Sequence, residues 1–132
     1  MIRGTTARFV FKLPCTKGEL VQATIKFSQE NNPSRYLPIT RRLSECGGQN
    51  DENILQVSLR PDETALFSEK YKGKIQLRAT RIDGTVFGSR PQLFTVYPMN
   101  DDIIEEIPPV VPDIPEENED GWIIFDGGVI TT

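Results

Sequence analysis

Acidic side chains beyond residue 100 are the first candidates for chemistry in this sequence. Asp101-Asp102 and Glu105-Glu106 are adjacent carboxylates, a pairing that general acid–base catalysis can use. They lie in a stretch rich in acids and prolines, whose composition does not hold side chains in a fixed geometry. The chain contains no histidine, which excludes Ser-His-Asp and Cys-His sites. A Ser-Lys pair or a paired-carboxylate site needs no histidine and stays open, but no residue identifies a reaction, so we predict no catalytic residue and no enzymatic activity.

Oxygen-rich stretches offer a weak metal candidate. NDEN at 50–53 and ENED at 117–120 supply clustered oxygen ligands, but neither has the full spacing of a calcium loop. There is no CxxC zinc pattern, and the paired glycines at 47–48 and 127–128 lack the strand–loop–helix context of a phosphate loop. We predict no metal, no cofactor and no small-molecule substrate.

Two cysteines and one basic cluster complete the candidates. Cys15 and Cys46 are too few for a disulfide framework, so we predict reduced thiols, with a bridge between them left open.

KYKGK at 70–74, with Arg41-Arg42, offers lysines and an aromatic ring that can follow a phosphate backbone. Lysines also protect strand edges against unwanted pairing, and the acidic tail would compete for the cluster. Nucleic acid is therefore not the predicted partner.

Charge divides the chain into two unlike parts. Residues 1–99 have a net charge of +6, whereas residues 100–132 have no lysine or arginine and a net charge of −10. This asymmetry predicts a folded domain over 1–104, an extended acidic, proline-rich linker over 105–120 and an apolar C-terminal docking segment over 121–132. No stretch approaches the roughly 18 apolar residues that span a bilayer, so we expect no membrane partner.

The folded part has the alternation of β-strands. Apolar residues recur with period two in TTARFVFKL, VQATIKF, LQVSL and IQLRAT, and RPDET predicts one short helical turn after Pro61. Pro38 predicts an edge strand or bulge near 35–43, and Asp83-Gly84 predicts a hairpin. About seven strands at this spacing predict an all-β fold, a single antiparallel β-sandwich.

The docking segment contains a short apolar run between glycines. Trp122, Ile123, Ile124 and Phe125 are the predicted partner-binding residues, because such a run fits a strand that is buried on both faces. Three alternatives exist: addition of a strand to its own domain, addition of a strand to a neighbouring chain, and a disordered end. The last would be an aggregation hazard. Twenty proline-rich residues span on the order of 60 Å, which favours docking on a neighbour.

About residues 1–104, the chain resembles a family of short, mostly uncharacterised proteins of tailed bacteriophages and prophages of gut bacteria. The resemblance is carried by MIRGTT, FVFKLP, ATIKFSQ, LRPDETALF, IQLRATRIDG and FTVYPMNDDII. It implies a small immunoglobulin-like module encoded among virion structural genes, and it assigns a function to no residue. The chain departs from the family by inserting ENNPSRYLP, by placing Arg60 where a threonine cap is usual, and by adding residues 105–132.

Together these patterns predict a non-enzymatic bacteriophage virion structural protein that takes part in capsid or tail assembly. Its expected partners are other virion proteins and copies of itself, and its expected location is the virion, after synthesis in the host bacterial cytoplasm. The alternative is a module that binds carbohydrate or protein on the host surface, with Tyr36, Tyr71, Tyr97 and Trp122 as stacking groups.

Overall fold

A computed structural model describes residues 1–98, 122–126 and 129–130 of the chain. The predicted linker over 105–120 lies outside the described residues. Within them, no helix is long and apolar enough to cross a membrane. The elements are β1 (Ala7–Lys12), β2 (Leu20–Gln29), β3 (Ile39–Arg42), β4 (Ile54–Leu59), α1 (Pro61–Thr64), β5 (Gly73–Arg81), β6 (Val86–Gly88), β7 (Gln92–Phe94), β8 (Trp122–Asp126) and β9 (Val129–Ile130). The all-β prediction is confirmed, and α1 is the helical turn predicted after Pro61.

The strands form two sheets. A three-stranded sheet has the order β4-β1-β8, in which β1 pairs antiparallel with β4 and parallel with β8. A six-stranded antiparallel sheet has the order β3-β2-β5-β6-β9, and β7 also pairs with β5. Strand β1 therefore occupies the centre of the smaller sheet, and β2 and β5 form the centre of the larger one.

The period-two pattern determines which side chains form the core. In β2, Ile25 and Phe27 are fully buried, while Lys26 between them is exposed. Phe9 of β1 contacts Phe27 across the two sheets, with ring centroids 5.0 Å apart. The sheets thus face each other and share one apolar core, which stabilises the domain by removing aromatic and aliphatic surface from water.

One end of the core is closed by aromatic residues outside the main alternation. Phe67, shortly after α1, is fully buried and lies 5.8 Å from the Phe94 ring. The Phe94 ring covers Gly73, where an added Cβ would lie only 2.2 Å from the ring. Gly73 is therefore required by close packing, because any side chain there would displace Phe94.

Local turn and edge predictions are confirmed. Strand β3, just after Pro38, lies at the edge of the six-stranded sheet. The Asp83-Gly84 hairpin joins β5 to β6, with Gly84 at a φ of 87° and the Thr85 N–H donating to the Asp83 carboxylate at 2.9 Å. Glycine adopts that positive φ without steric cost, which explains its place in the turn.

Candidate docking site of strand β8

Strand β8 fills the place beside β1 in the three-stranded sheet. The two strands run parallel, with Phe9 opposite Ile123 and Phe11 opposite Phe125. The Ile123 and Phe125 side chains are buried, with 3% and 1% of their surface exposed. Two of the four predicted docking residues therefore belong to the core around β1.

The other two predicted docking residues lie in the same strand. The backbones of Trp122 and Ile124 are opposite Arg8 and Val10 of β1, and their side chains lie outside the described part of the structure. The pairing within one chain corresponds to the alternative in which the segment adds a strand to its own domain. Docking on a neighbouring chain stays a prediction.

Phe125 joins a continuous series of aromatic contacts. Its ring stacks on Phe9 at a centroid distance of 6.0 Å and lies 5.6 Å from Phe11. Phe9 in turn contacts Phe27 of the six-stranded sheet and lies 5.3 Å from Phe94. Full burial of a phenylalanine side chain stabilises a fold by about 1.5–3 kcal/mol. The β8 strand is therefore held by the same ring cluster that holds the two sheets together.

Backbone pairing gives the site its orientation. Strand β4 satisfies one edge of β1, and β8 satisfies the other edge over Arg8 to Lys12. Without β8, that second edge would present unpaired N–H and C=O groups, which are a template for any added strand. Alternating side chains then select the strand: positions opposite Phe9 and Phe11 must be apolar, as Ile123 and Phe125 are.

Both ends of the undescribed segment are attached close to β1. On one side, the Arg3 N–H donates to the Tyr97 carbonyl at 3.0 Å, and on the other, Trp122 is opposite Arg8. Arg3 and Arg8 are five residues apart, which is about 17 Å of extended chain. Residues 99–121 have a contour length on the order of 75 Å at extended-chain rise. The connection is far longer than pairing within one chain requires.

The NDEN calcium candidate uses its oxygens for other contacts. The N–H groups of Lys17 and Gly18 donate to the carbonyls of Glu52 and Asn50 at 2.8 and 2.9 Å, and the Glu52 carboxylate accepts the Gln49 N–H at 3.3 Å. These contacts hold the loop against the start of β2. Among the described residues, no group of three or more His, Cys, Asp or Glu side chains gathers to hold a metal ion. The ENED candidate lies outside that part of the chain.

The predicted basic cluster is not brought together as the sequence suggested. The Arg41 guanidinium turns to the buried Glu63 carboxylate, while Arg42 is exposed on the opposite face of β3. Lys74 forms an ion pair with Glu30 at 3.0 Å. Exposed cations instead lie on the outer face of the six-stranded sheet. Their positions in the period-two pattern, which alternate with the buried residues, could have indicated this face from the sequence.

The exposed tyrosines of the surface-binding alternative lie in separate loops. Tyr36 is 60% exposed in the 30–38 loop, where it stacks with Arg35, and Tyr71 is 43% exposed in the loop before β5. Tyr97 is bound through its backbone to the N-terminal residues. No ring contact between these tyrosines is found within the described residues, and the Trp122 side chain lies outside them. The arrangement does not form a stacking platform in that part of the structure.

Neither thiol is prepared for nucleophilic chemistry. Cys15 and Cys46 are both free cysteines. Burial raises the pKa of the Cys15 thiol, and burial, opposed by the charge of Lys17, raises the pKa of Cys46 to about 11. The Cys46 thiol also lies 3.3 Å from the Arg42 carbonyl, to which it donates. Both groups therefore stay protonated at neutral pH, where the thiolate is the reactive form.

A buried amide links two loops at one end of the larger sheet, and the sequence prediction missed it. The Gln29 side chain donates to the carbonyls of Ser68 and Tyr71 at 2.7 Å each, and it accepts from the Ser68 N–H and the Asn32 amide. Gln29 continues the inward phase of β2 after Phe27. A glutamine at a position where the alternation of β2 places buried apolar residues could have indicated this contact, because a buried amide must find hydrogen-bond partners.

A buried ion pair fixes β3 against α1. The Glu63 carboxylate, 7% exposed, accepts hydrogen bonds from the Arg41 guanidinium and, at 2.9 Å, from the Arg60 N–H. Burial disfavours the charged carboxylate, but these hydrogen bonds outweigh burial and hold the pKa of Glu63 below its usual value. The pair has a structural role at the end of the sheet.

The place beside β1 that β8 fills has the properties of an interaction site. No described cluster brings a nucleophile and a base together. Comparison of the chain with protein-family models, with curated proteins and with solved structures finds no match. The resemblance to a bacteriophage family therefore stays a prediction, and the site rests on its own geometry.

Proposed function

We propose that the protein is a non-enzymatic structural component of a bacteriophage virion, built on an immunoglobulin-like β-sandwich. Its partners are other virion proteins and further copies of itself, and β8 is the element that joins neighbouring copies. One observation carries the proposal: β8 buries Ile123 and Phe125 against β1 through contacts that any copy of the chain can supply.

Exchange of β8 between copies preserves every contact at the site. Phe125 of one copy would meet Phe9 and Phe11 of another in the same register as within a single chain. The two arrangements differ mainly in the effective concentration of the strand, which falls as a linker becomes longer than the span that it must cross. For copies held side by side in a particle, the effective concentration of a neighbour's β8 is comparable to that of the copy's own β8. The geometry of the particle therefore decides which arrangement forms.

The length of the connection supports a neighbour as the acceptor. Closure within one chain needs only about 17 Å between the two anchor points on β1. The segment 99–121 provides on the order of 75 Å of contour, enough to reach the same site on an adjacent domain. Strand exchange of this kind is a common route to assembly because it creates no new type of contact.

The fold and the resemblance support the remaining parts of the proposal. Two facing sheets with a shared aromatic core are compatible with an immunoglobulin-like sandwich. The resemblance over residues 1–104 supports a place among virion proteins. Both parts are open to direct measurement, the first by an experimental structure and the second by the detection of the chain in purified particles.

Disulfide trapping tests the exchange of β8. Lys12 and Asp126 are opposite each other in the parallel pairing, so K12C and D126C place two thiols within bonding range. In a C46S background, the double variant should form a closed disulfide within one chain in dilute solution. In virions made with the variant, it should form a ladder of disulfide-linked copies on non-reducing gels.

A matched pair of cysteines out of register provides the control. R8C with D126C separates the thiols by four residues along β1, about 13 Å, and should form neither product. A variant that lacks residues 121–132 should fail to enter particles while remaining folded by circular dichroism. Disulfides only within single chains in virions, or normal incorporation of the truncated protein, would refute the assembly role of β8.

A further inference from the structure

The outer face of the six-stranded sheet carries a group of cations in a fixed arrangement. Thr24 of β2 is paired on one side with Arg42 of β3 and on the other with Arg78 of β5. Lys26 follows Thr24 on the same face, since side chains alternate along a strand. All three cationic side chains are exposed. They form a surface, here called the basic face, that consists of Lys26, Arg42 and Arg78.

Among the described residues, the basic face lacks the counter-charges that several other arginines have. Elsewhere, Arg3 pairs with Glu69, Arg41 with Glu63 and Arg81 with Glu19. Within residues 1–98, by contrast, no ion pair includes a member of the basic face. The outward positions that separate its members are neutral threonine and glutamine side chains. The three like charges repel one another across this face, so a bound anion would stabilise it.

Spacing defines the kind of anion that fits. Arg42 and Arg78 are two strand spacings apart, about 10 Å, and Lys26 lies between them one step along β2. A single small anion does not bridge such a separation, whereas an extended chain with a carboxylate every few residues does. The outward strand positions of the face are not aromatic, so it lacks the stacking groups of a single-stranded nucleic-acid site.

We infer that the basic face binds the acidic segment 100–120 of its own chain. That segment has nine Asp and Glu residues and no lysine or arginine, so its charge complements the face. Because it is tethered at both ends, its effective concentration is far above that of a free acidic ligand. The inference concerns the isolated protein and does not depend on the proposed virion role.

The anchor points place the segment within reach of the face. Strand β9 lies at one edge of the six-stranded sheet, with Val129 paired to Gly88 and Gly88 paired to Arg78. The edge of the domain that holds β8 and β9 is therefore two strand spacings from Arg78. Allowing about 10 Å for the separation of the sheets, a path from that edge to the face and back takes on the order of 50 Å. The contour of residues 99–121 exceeds this length.

Zero-length cross-linking of the full chain tests the inference. A carbodiimide joins a lysine amine to a carboxylate in direct contact, and Lys26 is the amine of the basic face. No Lys or Arg follows Arg90, and trypsin does not cleave the Arg90–Pro91 bond, so all acids of the segment stay in one peptide, residues 82–132. At low salt, mass spectrometry should find Lys26 linked to that peptide. The yield should fall at least tenfold in 0.5 M NaCl, because salt screens exposed charges.

Matched variants, and a mixture of ¹⁵N-labelled and unlabelled protein, show whether the cross-link depends on the basic face and whether it forms within one chain. R42Q/R78Q should lower the Lys26 cross-link yield severalfold, whereas R60Q, which removes an exposed arginine elsewhere, should leave it unchanged. Lys12, exposed on the other sheet, serves as the control amine in a D126N background, because Asp126 is opposite Lys12 in the β1–β8 pairing. In that background, equal yields at Lys12 and Lys26, or links only between ¹⁵N-labelled and unlabelled copies, would overturn the inference.

Discussion

Replacement of Phe125 by alanine measures how strongly β8 is held. The ring is 1% exposed and contacts Phe9 and Phe11, so F125A removes a buried aromatic group from the centre of the β8 pairing. Phe→Ala substitutions in cores destabilise by about 3–5 kcal/mol. We expect β8 to detach before the rest of the domain unfolds, in which case the loss is limited to the docking free energy of β8. We expect a decrease of about 3 kcal/mol in the free energy of docking.

The sole tryptophan makes the assay specific. Trp122 lies in β8, so its fluorescence reports the release of this strand, whereas far-UV circular dichroism reports the unfolding of both sheets. In urea, F125A should move the fluorescence transition to lower concentration than the circular dichroism transition. The control F9A removes a ring that also contacts Phe27 and Phe94, so both transitions should move together.

Two results would refute this reasoning. If F125A changes the fluorescence midpoint by an amount equivalent to less than about 0.5 kcal/mol, which is the range of ordinary surface substitutions, the ring does not contribute to the core. If F125A moves both transitions equally, β8 unfolds only with the whole domain. A double-mutant cycle of F9A and F125A should in addition give a coupling of about 0.5–1.5 kcal/mol for the ring contact.

Four further measurements test other parts of the structure. G73A should lower the free energy of unfolding by about 1–3 kcal/mol in urea because its Cβ meets the Phe94 ring, and F94L in that background should restore part of the loss. Q29L should cost about 1–3 kcal/mol in thermal unfolding, since it leaves buried loop groups without partners. Cys46 alkylation by iodoacetamide should titrate near pH 11 and, at pH 8, run about 100-fold slower than for an unperturbed thiol. Glu63 has a lowered pKa in the folded state, so its stabilisation is present above the unfolded-state pKa and is lost as pH falls through the folded-state pKa. E63Q should therefore flatten the acid limb of the stability–pH curve.

Local strand structure was predictable because the physical signal is local. Period-two alternation identified β1, β2, β4 and β5, and the dipeptide Asp83-Gly84 identified the hairpin. The same alternation places Lys26 and Arg78 outward, but their common face follows from pairing between strands. The direction of Arg41 depends on Glu63, which is 22 residues away in the sequence, so the sequence alone could not show whether Arg41 joins the KYKGK cluster.

The partner of β8 could not be predicted for a related reason. An apolar run shows that a strand needs an apolar surface, but it does not show which edge supplies that surface. The edge of β1 near Phe9 and Phe11 is more than 100 residues away, and the choice of acceptor depends on tether length and on neighbouring copies. The assembly role of Trp122 to Phe125 accordingly stays a prediction that the disulfide trap can decide.

The parallel pairing of β1 and β8 has a consequence for synthesis on the ribosome. Arg8 and Trp122 are partners, yet 113 residues lie between them in the order of translation. At about 5–20 residues per second, β1 waits roughly 6–23 seconds before its second neighbour has been made. On a polysome, the nascent β1 is therefore open to the β8 strand of an earlier, finished copy. Translation thus gives copies made from one messenger an opportunity to pair in sequence.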